Sequence, residues 1–282
     1  MLESQDGRLS VATRVELHEA DVWARCVELA ARVDGDPLGA TVDRHGPVPL
    51  PALTAVDSST FNRVVGLGVG SPGSVETVQR IDRFYLDHAQ DHYRVEIAPG
   101  AGPEDLPERL AAIGLVPVAE TVTKVYRCFD GPVPDDLSVS VDRGAVVRRL
   151  SHADAEEVAA LSVRAWGAWH VPVPLGPWFA ASVGAEGFTH YGAFIEGRLV
   201  CTGAMAVDGE LAWIGFDATH PRHQSRQLRR ALTGRRIADA LAEGCRIVHA
   251  EADSDRLSSR ARMLDSQYDR RLFMHRPRTG PP

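Results

Sequence analysis

Lysine is almost missing from this chain of 282 residues: Lys124 is the only one, and arginine supplies every other member of the 31 basic side chains. A codon habit accounts for that bias. So does the use of some arginines as planar, permanently charged phosphate ligands, a task lysine performs differently. Positive charge is also in deficit overall, at a formal net charge of −7, which excludes a general binder of nucleic acid or of membrane surfaces. No run of about 18 apolar residues occurs, so no membrane-spanning helix is expected. The opening residues lack the apolar stretch of a secretory signal, which predicts a cytoplasmic protein. Cysteine is scarce too. Cys26, Cys128, Cys201 and Cys245 stand far apart with no Cys-x-x-Cys pair, which excludes a small disulfide scaffold and a thiolate zinc knuckle and leaves reduced core thiols as the expectation.

What is present is a hydrophobic content of 44%, enough for two cores in a chain of this length. We read an N-terminal domain over 1–130 and a C-terminal domain over 143–282, joined by the Asp/Pro-rich stretch Asp130 to Asp142. Val15 to Val33 carries apolar residues at helical spacing. A Pro/Gly-rich connection to about Pro51 leads to a strand over Phe61 to Val69, a helix from Ser74 to Ala89 with Ser74 as cap, a strand over Tyr93 to Ala98, a helix over Glu104 to Ile113 and a strand over Glu120 to Cys128. After the linker come a strand (Val146 to Leu150), a helix opened by Ser151 to Asp154 and running to Trp166, and an aromatic-rich irregular segment to Phe179. Three strands follow, Tyr191 to Ile195, Leu199 to Val207 and Leu211 to Ala218, joined by the hairpin turns Glu196-Gly197 and Asp208-Gly209. The remaining elements are a helix over Gln224 to Ala242 stopped by Gly244, a strand over Arg246 to Ala250, a helix over Leu257 to Asp265 and a last strand over Leu272 to His275.

The order of the second half, with THPRHQSRQLRRAL where the third hairpin strand meets the long helix, resembles the GNAT (Gcn5-related N-acetyltransferase) superfamily over about residues 145 to 277. The first half, with FNRVVGLGV before a helix, a strand and a helix, looks like the partial second copy found in tandem GNAT proteins. The resemblance implies an α/β (α+β) fold of mixed sheets flanked by helices, with acetyl-CoA or another acyl-CoA as cofactor and no metal. In that family the pyrophosphate sits on a loop of the form (Gln/Arg)-x-x-Gly-x-(Gly/Ala) opening a helix, where unpaired amides and the helix dipole favour anions. The matching stretch here, after Ala218, is Gln224, Ser225, Arg226, Gln227, Leu228, Arg229 and then Arg230. Gln227 and Arg229 stand where the glycines belong, and Arg262, Met263 and Gln267-Tyr268 replace the family's later amide, phenol and glycine. Either arginines such as Arg222, Arg226, Arg229 and Arg230 take over from the missing glycines, or acyl-CoA use is lost.

A transferase of this type needs a base for the acceptor's proton and a donor for the departing thiolate. Asp217 and His220 are the first candidates; His223, Glu251 and Asp253 lie nearby in sequence. Trp166, Trp169 and His170, with Trp178 and Phe179, fall in the segment that covers the acceptor in the family, and suit an apolar or cationic group. Arg235 and Arg236 read as a solvated helix face. Gly68-Val69-Gly70-Ser71-Pro72-Gly73 fits the dinucleotide pattern GxGxxG, but the Rossmann context is lacking and a turn fits better. His88 and His92 are the one spaced histidine pair and read as a solvated helix end. The resulting expectation is an N-acyltransferase-like enzyme acting on a small amine-containing metabolite. The alternative is a GNAT-fold protein without acyl-CoA, either another enzyme or a noncatalytic ligand binder; an aminoacyl-tRNA donor stays open, against the acidic total.

Overall fold

Local chemistry at helix ends sets the first elements. The Ser10 hydroxyl accepts from the Thr13 N–H and opens α1 (Val11–Ala30), and Ser74 does the same with Thr77 to open α2 (Val75–Asp87). A computed structural model describes residues 9–131, 144–166, 175–223, 226–252 and 263–275. The chain divides into two compact units, one of Met1–Ala31, Leu38–Val122 and Tyr268–Pro282, the other of Arg32–Pro37 and Thr123–Gln267.

In the first unit, β1 (Ala40–Asp43) and β2 (Leu50–Leu53) form an antiparallel pair within the stretch read as a connection. The Pro and Gly content there reflects the turns around two very short strands. Next come β3 (Arg63–Val64), α2, β4 (Arg94–Ile97), α3 (Leu106–Ala112) and β5 (Leu115–Cys128), whose residues up to Val122 belong to this unit. The strand read over Phe61 to Val69 shrinks to two residues, because Gly66 and Gly68 turn the backbone at φ of 84° and 81°. Another departure concerns the last strand, β11 (Ser266–His275). Its residues from Arg271 to Met274 pair antiparallel with β4, and from Tyr268 onward it belongs to the first unit, not to the second. The apolar core joins Val64, Ile81, Tyr85, Val95, Leu110 and Phe273.

Beside that core lies a buried charge network. Arg270 donates to Glu16, Glu19 and Glu96 at no solvent exposure, and Glu96 also accepts from Arg63 and Arg94. The Arg63 guanidinium stacks 3.8 Å from the Trp23 ring centre. Burial alone would raise the Glu96 pKa, but the Arg63, Arg94 and Arg270 charges hold it down at about 2.

In the second unit, β6 (Ala145–Arg149), β7 (Phe188–Ile195), β8 (Arg198–Asp208) and β9 (Leu211–Thr219) run antiparallel in order, and β10 (Ile247–Ala252) adds parallel to β9 and antiparallel to the second half of β5. The first hairpin turn is Glu196-Gly197, both at positive φ, the I′ geometry; the second is Gly209-Glu210, one residue later than read. Strand alternation sends Tyr191 and Ala193 into a core with Leu228, Leu232 and Ile237 of α6 (Arg226–Ala242), and Phe194 into another with Val158 and Leu161 of α4 (Ala155–Trp166). The short α5 (Gly176–Ala181) packs on α4. Gly244 follows α6 at φ 94°, the left-handed stop expected.

Two sequence readings change here. Arg236 is not on a solvated face; it is fully buried, while Arg235 is exposed and pairs with Asp239. Cys26, Cys201 and Cys245 are core thiols, but Cys128 is exposed.

Candidate functional site

The parallel pairing of β9 with β10 covers only Leu211, Ala212 and Trp213 against Ile247, Val248 and His249. Beyond Trp213, β9 continues for six residues, Ile214 to Thr219, paired among the described residues to β8 alone. The two strands therefore part along the half of β9 that leads to His220 and the start of α6.

A bulge shapes that outer half. Between the pairs Thr202–Ala218 and Ala204–Gly215, β9 holds Phe216 and Asp217 against the single Gly203 of β8, and Phe216 sits at φ 53°. Glycine is required opposite: a Cβ on Gly203 would stand 2.5 Å from Asp217 Oδ1. Arg236 reaches the bulge from α6, donating to the Ala204 and Gly215 carbonyls and pairing with Asp217 at 2.7 Å. No local sequence signal singles out Arg236, because beside Arg235 it reads as part of a charged face. Asp217 is thus an ion-paired anchor of the bulge, and its carbonyl takes the Trp166 indole N–H at 3.3 Å.

His220 follows at the strand end. Its backbone N–H donates to Val200, its Nδ1 lies 3.2 Å from the Arg222 N–H, and its Nε2 lies 3.3 Å from Arg164 Nη1. Reduced hydration, then Arg164, His223 and Arg222, lower its pKa, which favours the neutral ring. The His223 ring stands 5.5 Å from it, and neither of its nitrogens bonds to another described residue. Arg164, from the last turn of α4, was not among the sequence candidates; its basic position in a helix C-terminal turn was the available signal.

Around the start of α6, Gln227 and Arg230 are exposed and Arg229 is half-buried. Leu228 is a core residue, packed with Leu232, and Ala218 is buried with Leu199 against α4. Gln224 and Ser225 lie outside the described residues, as do Trp169, His170, Asp253 and Arg262, and the Arg226 side chain is not described. Of the aromatic candidates, Trp166 is half-buried with its ring on Phe179, whereas Trp178 and Phe179 are fully buried around Phe216. Glu251 on β10 is half-buried opposite the lone lysine, Lys124, itself buried. A further serine–histidine contact, Ser182 to His190 at 2.9 Å, is sealed in the core; burial and then Arg236 push the His190 pKa down to about 3, so it stays a neutral packing group.

The other motifs resolve into packing. A Cβ on Gly68 would meet the Gly102 carbonyl at 2.5 Å, the Gly102 N–H donates to Gly68 O, and the Gly73 N–H donates to Gly102 O. The GxGxxG stretch is therefore covered by the unit's own backbone. His88 bonds to the Phe84 carbonyl and His92 to Asp57. Among the described residues no group of three metal-binding side chains is found, and no helix is long and apolar enough to cross a membrane.

No protein-family model matches the chain, and no curated protein does. Solved structures do. A GCN5-related N-acetyltransferase from Kribbella flavida aligns over 95% of this chain and 96% of its own, with 14% identity and a TM-score of 0.63. A tandem GNAT protein from the clavulanic acid biosynthesis pathway aligns over 91% and 94%, at 16% identity and 0.58. A GCN5-related N-acetyltransferase from Sphaerobacter thermophilus covers 76% and 72%, at 18% identity and 0.54. At these identities the likeness establishes the fold: mixed sheets and helices arranged as in GNAT acetyltransferases.

Proposed function

We propose that the chain is a GNAT-type N-acyltransferase acting on the amine of a small metabolite, with an acyl-CoA as donor. The observation that carries this reading is the parting of β9 from β10 after three paired residues, directly ahead of an arginine-bearing helix start. The residues present suit the donor. A strand edge offers backbone groups to an amide-containing arm, and Arg229 and Arg230 offer planar forks to a diphosphate, aided by the positive end of α6. Gln224, Ser225 and Arg226 belong to the same proposed cradle. When bound, the acyl-CoA supplies a thioester whose carbonyl carbon is open to attack by an amine.

The chain's own groups take up the rest of the task. His223, with ring nitrogens free of described partners, is placed in this reading to accept the ammonium proton, while His220 presents an N–H toward the Arg164 side. Asp217 acts through position: paired with Arg236, it fixes the bulge that aims the strand end. Trp166, with Trp169 and His170, forms the proposed wall toward the acceptor. Calorimetry with acetyl-CoA and CoA tests the reading; absence of binding at millimolar ligand ends it.

One observation favours a second reading. Gln227 and Arg229 bring long side chains to positions where the loop pattern of the resembled family has glycine, which suits a GNAT-fold protein that binds or transforms a small metabolite without acyl-CoA. In that case Trp166→Ala alters ligand binding or turnover while CoA leaves the melting temperature unmoved.

A further inference from the structure

His220 faces two donors, and a neutral imidazole can accept from only one of them. A neutral ring has one acceptor nitrogen, yet the Arg222 N–H faces Nδ1 and the Arg164 guanidinium faces Nε2. Whichever tautomer forms, one contact sets donor against donor, and protonation makes both so. The fixed backbone N–H of Arg222 selects Nδ1 as acceptor, which leaves Nε2–H opposed to Arg164 Nη1 at 3.3 Å. Among the described residues, the charged and titratable groups that act on this ring are Arg164 from α4 and Arg222 and His223 from its own turn, while the Val200 carbonyl on β8 takes the His220 backbone N–H.

The arginines of this corner also differ from others of the same unit. Arg148 pairs with Asp154, Arg149 and Arg235 with Asp239, and Arg236 with Asp217. Among the described residues neither Arg164 nor Arg222 has a carboxylate partner.

We propose that Arg164, His220 and Arg222 form a subsite for an oxyanion, the carboxylate or phosphate that the acceptor carries besides its amine. An oxyanion set between Arg164 Nη1 and His220 Nε2 accepts from both, so the opposed donors become two hydrogen bonds, at least one of them charge-assisted. Nδ1 keeps its bond from Arg222, whose side chain adds positive charge. The site is read without reference to acyl transfer; its assignment to the acceptor rests on that proposal, because Arg164 stands on α4 whereas the arginines proposed for the donor stand on α6. The acceptor class is then a small zwitterion or phosphorylated amine, not a purely cationic polyamine.

The test uses the full chain with carbon-13 at histidine Cε1, its His220 signal identified by loss in His220→Gln. Titration with acetate, and separately with inorganic phosphate, is expected to move that signal saturably and to raise the pH at which it titrates. Arg164→Gln, on an exposed helical position, is expected to weaken the response roughly tenfold, the scale of one charged contact. A His220 signal indifferent to both anions, or an unchanged affinity in Arg164→Gln, overturns the subsite. Repeating the acetate titration with CoA bound separates the two sources of oxyanion. A persisting response supports the acceptor assignment, and a lost one gives the cluster to the donor's phosphates and overturns it. If CoA does not bind at all, the acyl-transfer reading and the acceptor assignment fall together, while the acetate response still decides the oxyanion site.

Discussion

Each unit contains a strand, a loop, a helix and a parallel strand in sequence, and the two junctions are built on opposite terms. In the first unit, β3 leads through Gly66, Gly68, Gly70 and Gly73 to α2 and then β4, pairing at Arg63–Arg94 and Val64–Val95. In the second, β9 leads through His220, Arg222 and His223 to α6 and then β10. The glycine-rich junction is the one that a motif search would pick for phosphates. It is also the one whose loop is packed under Gly102 and Leu106, and whose neighbouring arginines are spent on Glu16, Glu19 and Glu96. Glycine records a close approach of something to the backbone; here that something is the chain itself. The better pointer to a ligand is the meeting of two cations at one histidine: Arg164 and Arg222, neither with a carboxylate partner among the described residues, face His220 at the junction lacking glycine.

The sharpest way to break this contrast is to attack the buried charges of the first unit. Arg270→Met leaves three carboxylates facing one another without exposure to water, and we expect a loss of about 3–5 kcal/mol in denaturant unfolding. Glu96 adds a pH signature. Its folded pKa, held at about 2 against 4.5 for an ordinary glutamate, is depressed, so its contribution is complete above about pH 4.5 and is lost as pH falls toward 2. In Glu96→Gln the decline of stability over that window should be visibly shallower; an unchanged slope would show the network to be uncharged.

Gly68→Ala comes next. Its methyl group would press on a backbone carbonyl at 2.5 Å and force a positive φ on alanine, for an expected cost of about 2–3 kcal/mol. If the loop is only packing, CoA affinity measured well below the melting point stays at the wild-type value. A variant that remains folded but loses CoA would move the donor site to the first unit. Asp217→Asn should cost about 1–3 kcal/mol, since it leaves the Arg236 guanidinium buried beside a neutral amide. Because the amide keeps the shape of the bulge, turnover should fall much less than stability; a collapse of turnover in a stable variant would restore Asp217 as a base.

How much of this was legible follows from where the chemistry is local. The three-stranded hairpin run announced itself through alternation and through Glu196-Gly197 and Gly209, and Ser74 and Gly244 marked helix ends, because those signals act within a few residues. β1 and β2 were missed because four-residue strands carry too little alternation to outweigh the prolines and glycines around them. Arg236 and Arg235 look alike in sequence, and only the fold decides that one enters the bulge while the other meets Asp239. Arg164 joins His220 across 56 positions, a pairing that no spacing rule contains. The buried network is of the same kind: Glu16 and Arg270 are 254 residues apart, and nothing near either one says that it is inside.

The smallest expected effect is also the most discriminating between the two junctions. Replacing Arg229 and Arg230 together by alanine removes two side chains that are half-buried and exposed, so unfolding free energy should change by no more than about 0.5 kcal/mol. If they hold the donor's diphosphate, CoA affinity should fall roughly tenfold, about 1.4 kcal/mol, and the remainder should weaken steeply with added salt. Should affinity persist, the backbone at the start of α6 would be carrying the phosphates despite Gln227 and Arg229 in place of glycine. The two arginines would then have no part in holding the donor, and the contrast between the junctions would rest on Arg164, His220 and Arg222 alone.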